Sequence, residues 1–290
     1  MLHRIALTAA AVLTLAISAS AASGPSRPAE RIVSLAPNLT ELVFTLGAGE
    51  RLVGADVFSD YPPEAQQIPR VGDAFQVDYE RVLALEPDIV LVWDTGTPEP
   101  VIEKLKSLGL RVERISTTQL SDIARALRRL GELTGITAAA EQAAREYTAA
   151  IDQLRLEHAS EPPITVFYQI SSAPIYTING RHLISELLAL CGGQNVFGDL
   201  EQLAPPVSLE AVLERNPETI LAGDDVRGDP FAIWRPWRNL RAVQLENLYV
   251  LRVDRIARAT TRIVEGAADI CAVLDQARER RVSKTTAGGP

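Results

Sequence analysis

Apolar runs of strand length alternate with amphipathic segments between residues 31 and 119. The runs RIVSL, RLVGAD, DIVLVW and LRVERIS predict strands, and the segments between them carry apolar residues at helical spacing. Gly47 and Gly109 follow two of these helices as stop signals, and a third helix is capped by Asp78 and ended by Pro87. Strands alternating with helices predict a parallel sheet with crossover helices, an α/β lobe.

The pattern changes over residues 120–159, where apolar residues keep helical spacing and strand formers are scarce. Gly131 and Gly135 interrupt this stretch, so it predicts either one long linking helix or two helices joined by a tight break. A second strand-and-helix series follows over 163–277, from the strand ITVFYQI to a last helix that begins at Thr261. Residues 278–290, charged and then small, are predicted to form a disordered tail.

A repeat relates the two series. The segment VDYERVLALEPDIVLV at 77–92 and the segment VSLEAVLERNPETILA at 207–222 share Val, Glu, Val, Leu, Pro and Leu at equal spacing. A second pair, ELVFTLGAG at 41–49 and ELLALCGGQ at 186–194, resembles a helix with a glycine stop in each copy. We therefore predict an α/β fold of two similar lobes with mainly parallel sheets, joined by a long backbone helix.

The N-terminus has the organisation of a secretory signal peptide. A basic start, MLHR, precedes an apolar run from Ile5 to Ile17 that is too short to span a membrane, and small residues follow it. This pattern predicts a signal peptide over 1–22 with cleavage near Ala21, and therefore an exported chain. No cysteine stands directly after the cleavage site, so we do not expect a lipid anchor.

The charge and the cysteines narrow the function classes. A net charge of −8 argues against nucleic acid and anionic membrane surfaces as partners. Cys191 and Cys271 are the only cysteines, and an even pair in an exported chain predicts one disulfide, with two separate buried thiols as the alternative.

Catalytic residue sets are scarce in this sequence. After the signal peptide only His158 and His182 remain, and no HExxH, GxSxG or phosphate-loop spacing occurs. We therefore predict no catalytic residue, no metal site and no cofactor. An exported α/β hydrolase stays as an alternative, as does a signalling or adhesion module without a small ligand.

Aromatic and charged residues instead follow the predicted strands, where open α/β sheets place ligand sites. Rings facing a cleft from both lobes would suit a large, flat, apolar ligand. Each aromatic ring could also be an ordinary packing residue. Asp254 and Arg258 could simply pair with each other on the surface. The candidate ligand-binding residues are Tyr61, Phe75, Trp93, Tyr176, Asp254 and Arg258.

Glu80 and Glu210 occupy matched places in the repeated unit, each two residues after a predicted helix cap. The helix dipole favours a carboxylate there by about 0.3–1 kcal/mol. That preference does not require the same residue in both copies, whereas a partner offering two basic sockets would.

These residues resemble a known family. The stretches RIVSLAPNLTEL, SDYPPEAQ, LCGGQNVF, PVSLEAV and DRIARATTRI resemble periplasmic substrate-binding proteins of the helical-backbone class that serve ABC importers, and most of all their cobalamin-binding branch. The resemblance covers nearly the whole mature chain. It implies a monomeric periplasmic protein that captures cobalamin between its lobes and delivers it to an ABC permease.

The resemblance also implies residue roles. Tyr61 and Trp93 match aromatic residues that contact cobalamin in the family, and Asp254 and Arg258 match its polar contacts. Cys191 and Cys271 match its disulfide, and Glu80 and Glu210 match the carboxylates that dock onto arginines of the permease dimer.

Three departures weaken the cobalamin assignment. Phe75 replaces an expected Trp, Tyr176 replaces a Phe, and the position near Ala204 has no ring, although Trp234 or Trp237 could compensate. Tyrosines in the cleft would also allow haem, because a phenolate can ligate ferric iron. A haem or ferric-siderophore binding protein of the same family is therefore the alternative.

Overall fold

A computed structural model describes residues 27–226 and 228–287, and the predicted signal peptide lies outside the described residues. Its first α/β lobe alternates strands with helices as the apolar pattern predicts. The elements are β1 (Ile32–Ser34), α1 (Pro37–Thr45), β2 (Leu52–Ala55), α2 (Tyr79–Ala84), β3 (Ile89–Trp93), α3 (Glu99–Ser107) and β4 (Val112–Ile115). The four strands are parallel in the order β2-β1-β3-β4.

The stretch 120–159 forms two helices, α4 (Leu120–Thr134) and α5 (Thr137–Glu157), which pack against each other. Gly135, with a φ of 73°, ends α4, because a left-handed residue cannot continue the helix. Gly131 does not interrupt the helix as we predicted but lies inside α4, where an added Cβ would come within 2.3 Å of Ala140 Cβ.

The second lobe repeats the first. It contains β5 (Ile164–Gln169), β6 (Ser171–Ser172), β7 (Ile175–Tyr176), α6 (Leu183–Leu190), β8 (Gly193–Asn195), α7 (Leu209–Arg215), β9 (Thr219–Gly223), α8 (Arg241–Gln244), β10 (Leu248–Leu251), α9 (Val253–Ile256) and α10 (Ile263–Ala287). Its main sheet is parallel in the order β10-β9-β5-β8, the counterpart of the first sheet, and β6 and β7 add a small antiparallel hairpin. The predicted two-lobed α/β fold with parallel sheets is confirmed.

One apolar core runs through both lobes. It extends from Ile32 and Leu91 of the first sheet, through the helices α1, α4, α5, α6 and α10, to Ile164 of the second sheet. The opposite face of each sheet has its own cluster, around Val90 in the first lobe and Phe167 in the second. The lobes are therefore joined by buried apolar surface as well as by the chain.

The last helix is longer than predicted. It begins at Ile263 and runs to Ala287, so the prediction of a disordered tail from residue 278 was wrong for 278–287. Arg278 is 6% exposed and donates to the carbonyl oxygens of Pro162 and Cys191, which fixes this part of the helix on the second lobe. Cys191 at the end of α6 and Cys271 in α10 form the predicted disulfide.

The described part of the chain contains no helix that is both long enough and apolar enough to cross a bilayer.

Candidate ligand-binding cleft

Two adjoining cavities open where the strands of the first lobe end. The larger, of about 510 Å³, lies among the loops that follow β1, β2 and β3. The smaller, of about 400 Å³, lies between the lobes, with Asp60 on one wall and Asp254 and Arg258 on the other. Pro37 and Trp93 line both cavities, so the two form one cleft.

Trp93 stands at the centre of this cleft as the last residue of β3. The loop after the strand passes directly against its indole, since a Cβ on Gly96 would lie 1.9 Å from a ring carbon of Trp93. Trp93 Nε1 and Thr97 Oγ1 are buried here, and neither has a hydrogen-bond partner among the described residues. Glycine at position 96 therefore leaves the space that the indole occupies.

Two phenylalanines form the outer rim of the first-lobe wall. Phe75 is 72% exposed and Phe58 is 64% exposed, and both line the larger cavity. Their backbones are fixed by aspartates, because Asp73 Oδ1 accepts from the N–H of Phe75 at 2.7 Å and Asp56 Oδ1 accepts from the N–H of Phe58 at 2.7 Å. The rim thus presents apolar rings on turns that are closed by these hydrogen bonds.

The second lobe contributes charged groups to the cleft. Arg258 Nη1 reaches across the lobe boundary to Asp60 Oδ1 at 2.6 Å. Asp254 accepts from Arg252 and from Arg262, each at 3.4 Å. The alternative in which Asp254 and Arg258 simply pair with each other is therefore wrong.

Carboxylates outnumber guanidinium groups among the residues that line the two cavities. Burial raises the pKa of Asp56 to about 6, and the nearby charge of Asp73 acts in the same direction. Burial also raises the pKa of Asp254, but hydrogen bonds and charges from Arg252 and Arg262 outweigh it and leave this pKa below its usual value. The cleft is lined by Asp56, Asp60, Asp73 and Asp254 against Arg258 alone.

The other predicted ligand residues lie outside these two cavities. Tyr61 is 41% exposed, lines a neighbouring cavity of about 410 Å³, and lies under the Arg262 guanidinium, 3.7 Å from its ring centre. Tyr176 lies in β7 and forms a bridge with Pro206. Trp234 is fully buried in the second-lobe core, and Trp237 is 43% exposed. Neither tryptophan lines the cleft in place of the ring missing near position 204.

Glu80 and Glu210 occupy equivalent exposed positions in the two lobes. Each lies in the first turn of its helix, α2 or α7, two residues after the capping side chain of Asp78 or Ser208. Hydrogen bonds from its own backbone N–H and from Ser208 hold the pKa of Glu210 below its usual value, so it is ionised at neutral pH.

Sequence reasoning missed part of the first-lobe wall. Asp56, Phe58 and Asp60 all lie in DVFSD, the stretch that follows β2 without a gap. Their position at the carboxyl end of a strand was the available signal. The prediction names Tyr61 instead, one residue further along.

No group of three or more His, Cys, Asp or Glu side chains within 27–226 and 228–287 is arranged to hold a metal ion.

Comparison with known proteins agrees with this architecture. The chain is 35% identical over 254 residues to a vitamin B12-binding protein of Vibrio cholerae, covering 87% of this chain and 92% of that protein. It is 32% identical to a vitamin B12-binding protein of Vibrio parahaemolyticus, covering 88% and 93%. Among solved structures, the periplasmic vitamin B12 binding protein of Vibrio cholerae has a TM-score of 0.79 at 35% identity, covering 87% of this chain and 98% of that one.

The fold is also similar to that of a heme-binding protein of known structure. A periplasmic heme binding protein from Pseudomonas aeruginosa has a TM-score of 0.73 at 27% identity, covering 84% of this chain and 92% of that one. The periplasmic binding protein family matches residues 32–254, which include both sheets and most of the residues that line the cleft. The chain therefore belongs to the periplasmic binding protein family.

Proposed function

We propose that this protein captures cobalamin in the cleft between its lobes, in the periplasm, and delivers it to an ABC permease. One observation carries the proposal: Trp93 of the first lobe and Asp254 and Arg258 of the second lobe line the same cavity. The similarity of the whole chain to vitamin B12-binding proteins supports it. The activity is capture rather than catalysis.

The chemistry of the wall suits a corrinoid. Cobalamin presents a broad corrin face and a rim of neutral amide side chains. Phe58, Phe75 and Trp93 offer apolar ring surface to the face, and the aspartates of the cleft accept hydrogen bonds that amide N–H groups can donate. The cleft thus matches a ligand that is apolar over its face and neutral at its edge.

Haem is the second candidate, favoured by the similarity to the Pseudomonas aeruginosa heme binding protein. Haem carries two propionates, and the lining of the cleft, with four carboxylates and a single guanidinium, offers them few cationic partners. A tyrosinate ligand for ferric iron is also poorly supplied, because Tyr61 lies under Arg262 and Tyr176 lines neither cavity. The charge of the cleft therefore favours cobalamin.

Titration of the purified mature protein with cyanocobalamin and with haemin tests this choice. We expect saturable binding of cyanocobalamin, seen as quenched tryptophan fluorescence and a raised melting temperature, and no Soret shift with haemin. Tight haemin binding without cyanocobalamin binding would overturn the assignment. A ferric siderophore as a third titrant separates the remaining alternative, and the absence of any ligand-induced stabilisation would favour a module without a small ligand.

Delivery would use the two exposed glutamates. We propose that Glu80 and Glu210 dock onto basic sockets of a permease dimer, since equivalent carboxylates in two related lobes fit a two-fold partner. The lobes would close only slightly on the ligand, because the shared core joins them, so little ordering entropy is lost on binding.

Charge reversal tests the docking. We expect Glu80→Arg with Glu210→Arg to bind cyanocobalamin normally and to abolish uptake in cells that depend on this protein. The control is Glu146→Arg with Glu157→Arg on α5, which changes the net charge equally at two exposed glutamates and should leave uptake intact. Uptake retained in the first variant would remove the docking proposal.

A further inference from the structure

Glu41 is an almost fully buried carboxylate that joins the two lobes. It lies in α1 of the first lobe with 2% exposure. Its Oε1 accepts from Thr260 Oγ1 at 2.6 Å and from Arg262 Nε at 2.7 Å, and its Oε2 accepts from Arg262 Nη2 at 2.9 Å. Both partners belong to the second lobe, in the loop between α9 and α10. A buried carboxylate held by a bidentate guanidinium and a hydroxyl is fixed in direction as well as position.

The loop that Glu41 holds carries the second-lobe wall of the cleft. Asp254 and Arg258, which line the smaller cavity, lie at most eight residues before Arg262. Arg262 also contacts Asp254 Oδ2 at 3.4 Å and covers the ring of Tyr61. Arg258 Nη1 lies 3.8 Å from Glu41 Oε2. The orientation of three predicted ligand residues thus depends on groups that Glu41 anchors.

The repeat supplies a counterpart that lacks this link to the cleft. Glu186 of α6 matches Glu41 in the repeated segments, and its Oε2 accepts from the N–H of Leu120 at 2.8 Å, at the start of α4. The two contacts are related: Glu41 bonds to the loop just before α10, the helix that follows the second sheet, and Glu186 bonds to the start of α4, the helix that follows the first sheet. At Glu186 the partner is a backbone N–H, and Leu120 lines neither cleft cavity.

We propose that Glu41 is a positioning residue for ligand binding: it sets the loop 253–262, and with it Asp254 and Arg258, at the distance from Trp93 that the ligand requires. Glu186 makes the matching contact between the second lobe and the linking helix α4, for stability alone. This inference rests on the proposed capture function, and it assigns to one of two repeated glutamates a role in affinity that the other lacks.

Glu41→Gln and Glu186→Gln form a matched pair for the test, since each keeps size and removes charge. We expect both to lower the melting temperature. Only Glu41→Gln should weaken cyanocobalamin binding, by about tenfold, because affinity falls with the fraction of molecules whose loop is correctly placed. Arg262→Lys, which keeps the charge but loses the bidentate contact, should weaken binding in the same way.

Hydrogen exchange of the ligand-free proteins gives an independent measurement. Glu41→Gln should speed exchange of the amides in 253–262, and Glu186→Gln should speed exchange near 120–123 only. Equal effects of the two variants on affinity, or unchanged exchange in 253–262, would overturn the inference. If the wild-type protein bound no cyanocobalamin, the proposed function would fail, and the exchange result would still decide whether Glu41 holds the loop.

Discussion

The two lobes share their strand order and their capped helices, but they present different chemistry to the cleft. The first lobe offers exposed rings, with Trp93 at the end of β3 facing the cavity. In the second lobe the loop after β9 turns its tryptophan inward: Trp234 is fully buried, packs edge-on against Phe167 at 5.6 Å and donates to Gln169 Oε1 at 2.6 Å. The two lobes are thus alike in their sheets and capped helices, and they differ in the loops that follow the strands.

The largest effect on stability should come from replacing the buried Trp234 of the second lobe. Trp234→Ala removes a side chain from the second-lobe core and leaves Gln169 without its donor, so we expect the free energy of unfolding to fall by about 3–5 kcal/mol. Urea denaturation followed by circular dichroism measures it. Trp237→Ala, three residues away at an exposed site, is the control and should change little.

Replacing Trp93 of the first lobe should weaken ligand binding more than it lowers stability. Trp93→Ala should weaken cyanocobalamin binding by about 2 kcal/mol or more, roughly thirtyfold, because a central aromatic contact is lost. Its unfolding free energy should fall less than that of Trp234→Ala, since Trp93 is only partly buried. Isothermal titration calorimetry gives the affinity. If Trp234→Ala weakened binding more than Trp93→Ala, the contrast between the lobes would be broken.

The matched helix caps should respond alike. Asp78 accepts from the N–H of Arg81 at 3.0 Å, and Ser208 accepts from the N–H of Ala211 at 3.1 Å. Replacing either with alanine should cost about 1 kcal/mol, with additive losses in the double variant because the caps lie in separate lobes. Chemical denaturation of the three variants checks this. A cost confined to one lobe would show that the repeated units are not energetically equivalent.

A further effect should be a change in the pH dependence of stability. Asp56 has a pKa of about 6 in the folded protein against 3.8 ordinarily, so the folded state binds its proton more tightly. Its contribution to stability is complete below pH 4 and is lost as the pH rises through 6. Asp56→Asn should remove this loss, which melting temperatures between pH 4 and pH 7 would reveal. Asp152→Asn, an exposed residue of α5, is the control; a profile unchanged by Asp56→Asn would contradict the assignment.

Local patterns predicted the fold well because they report directly on backbone geometry. The strand DIVLVW, the Asp78 cap and the stop at Gly135 were all visible in short windows of sequence. The end of α10 was not, because residues 278–287 have no apolar stripe, and Arg278 is held by carbonyl oxygens of the second lobe. Such tertiary contacts override a local composition that looks disordered.

The cleft was predicted only in outline for a similar reason. Position after a strand identified Phe75, Trp93, Asp254 and Arg258, all of which line it. It could not show that Arg262 covers Tyr61, or that Phe58 stands exposed on the rim, since these depend on contacts between segments distant in sequence.

The apolar core shared by the two lobes has a thermodynamic consequence. Because Ile32 of one sheet and Ile164 of the other belong to the same buried cluster, neither lobe can melt without exposing surface that the other covers. Unlike most chains of two units, this one should unfold as a single cooperative transition, with one calorimetric peak. Ligand bound at the cleft would then protect the whole molecule, including helices far from the ring that it touches.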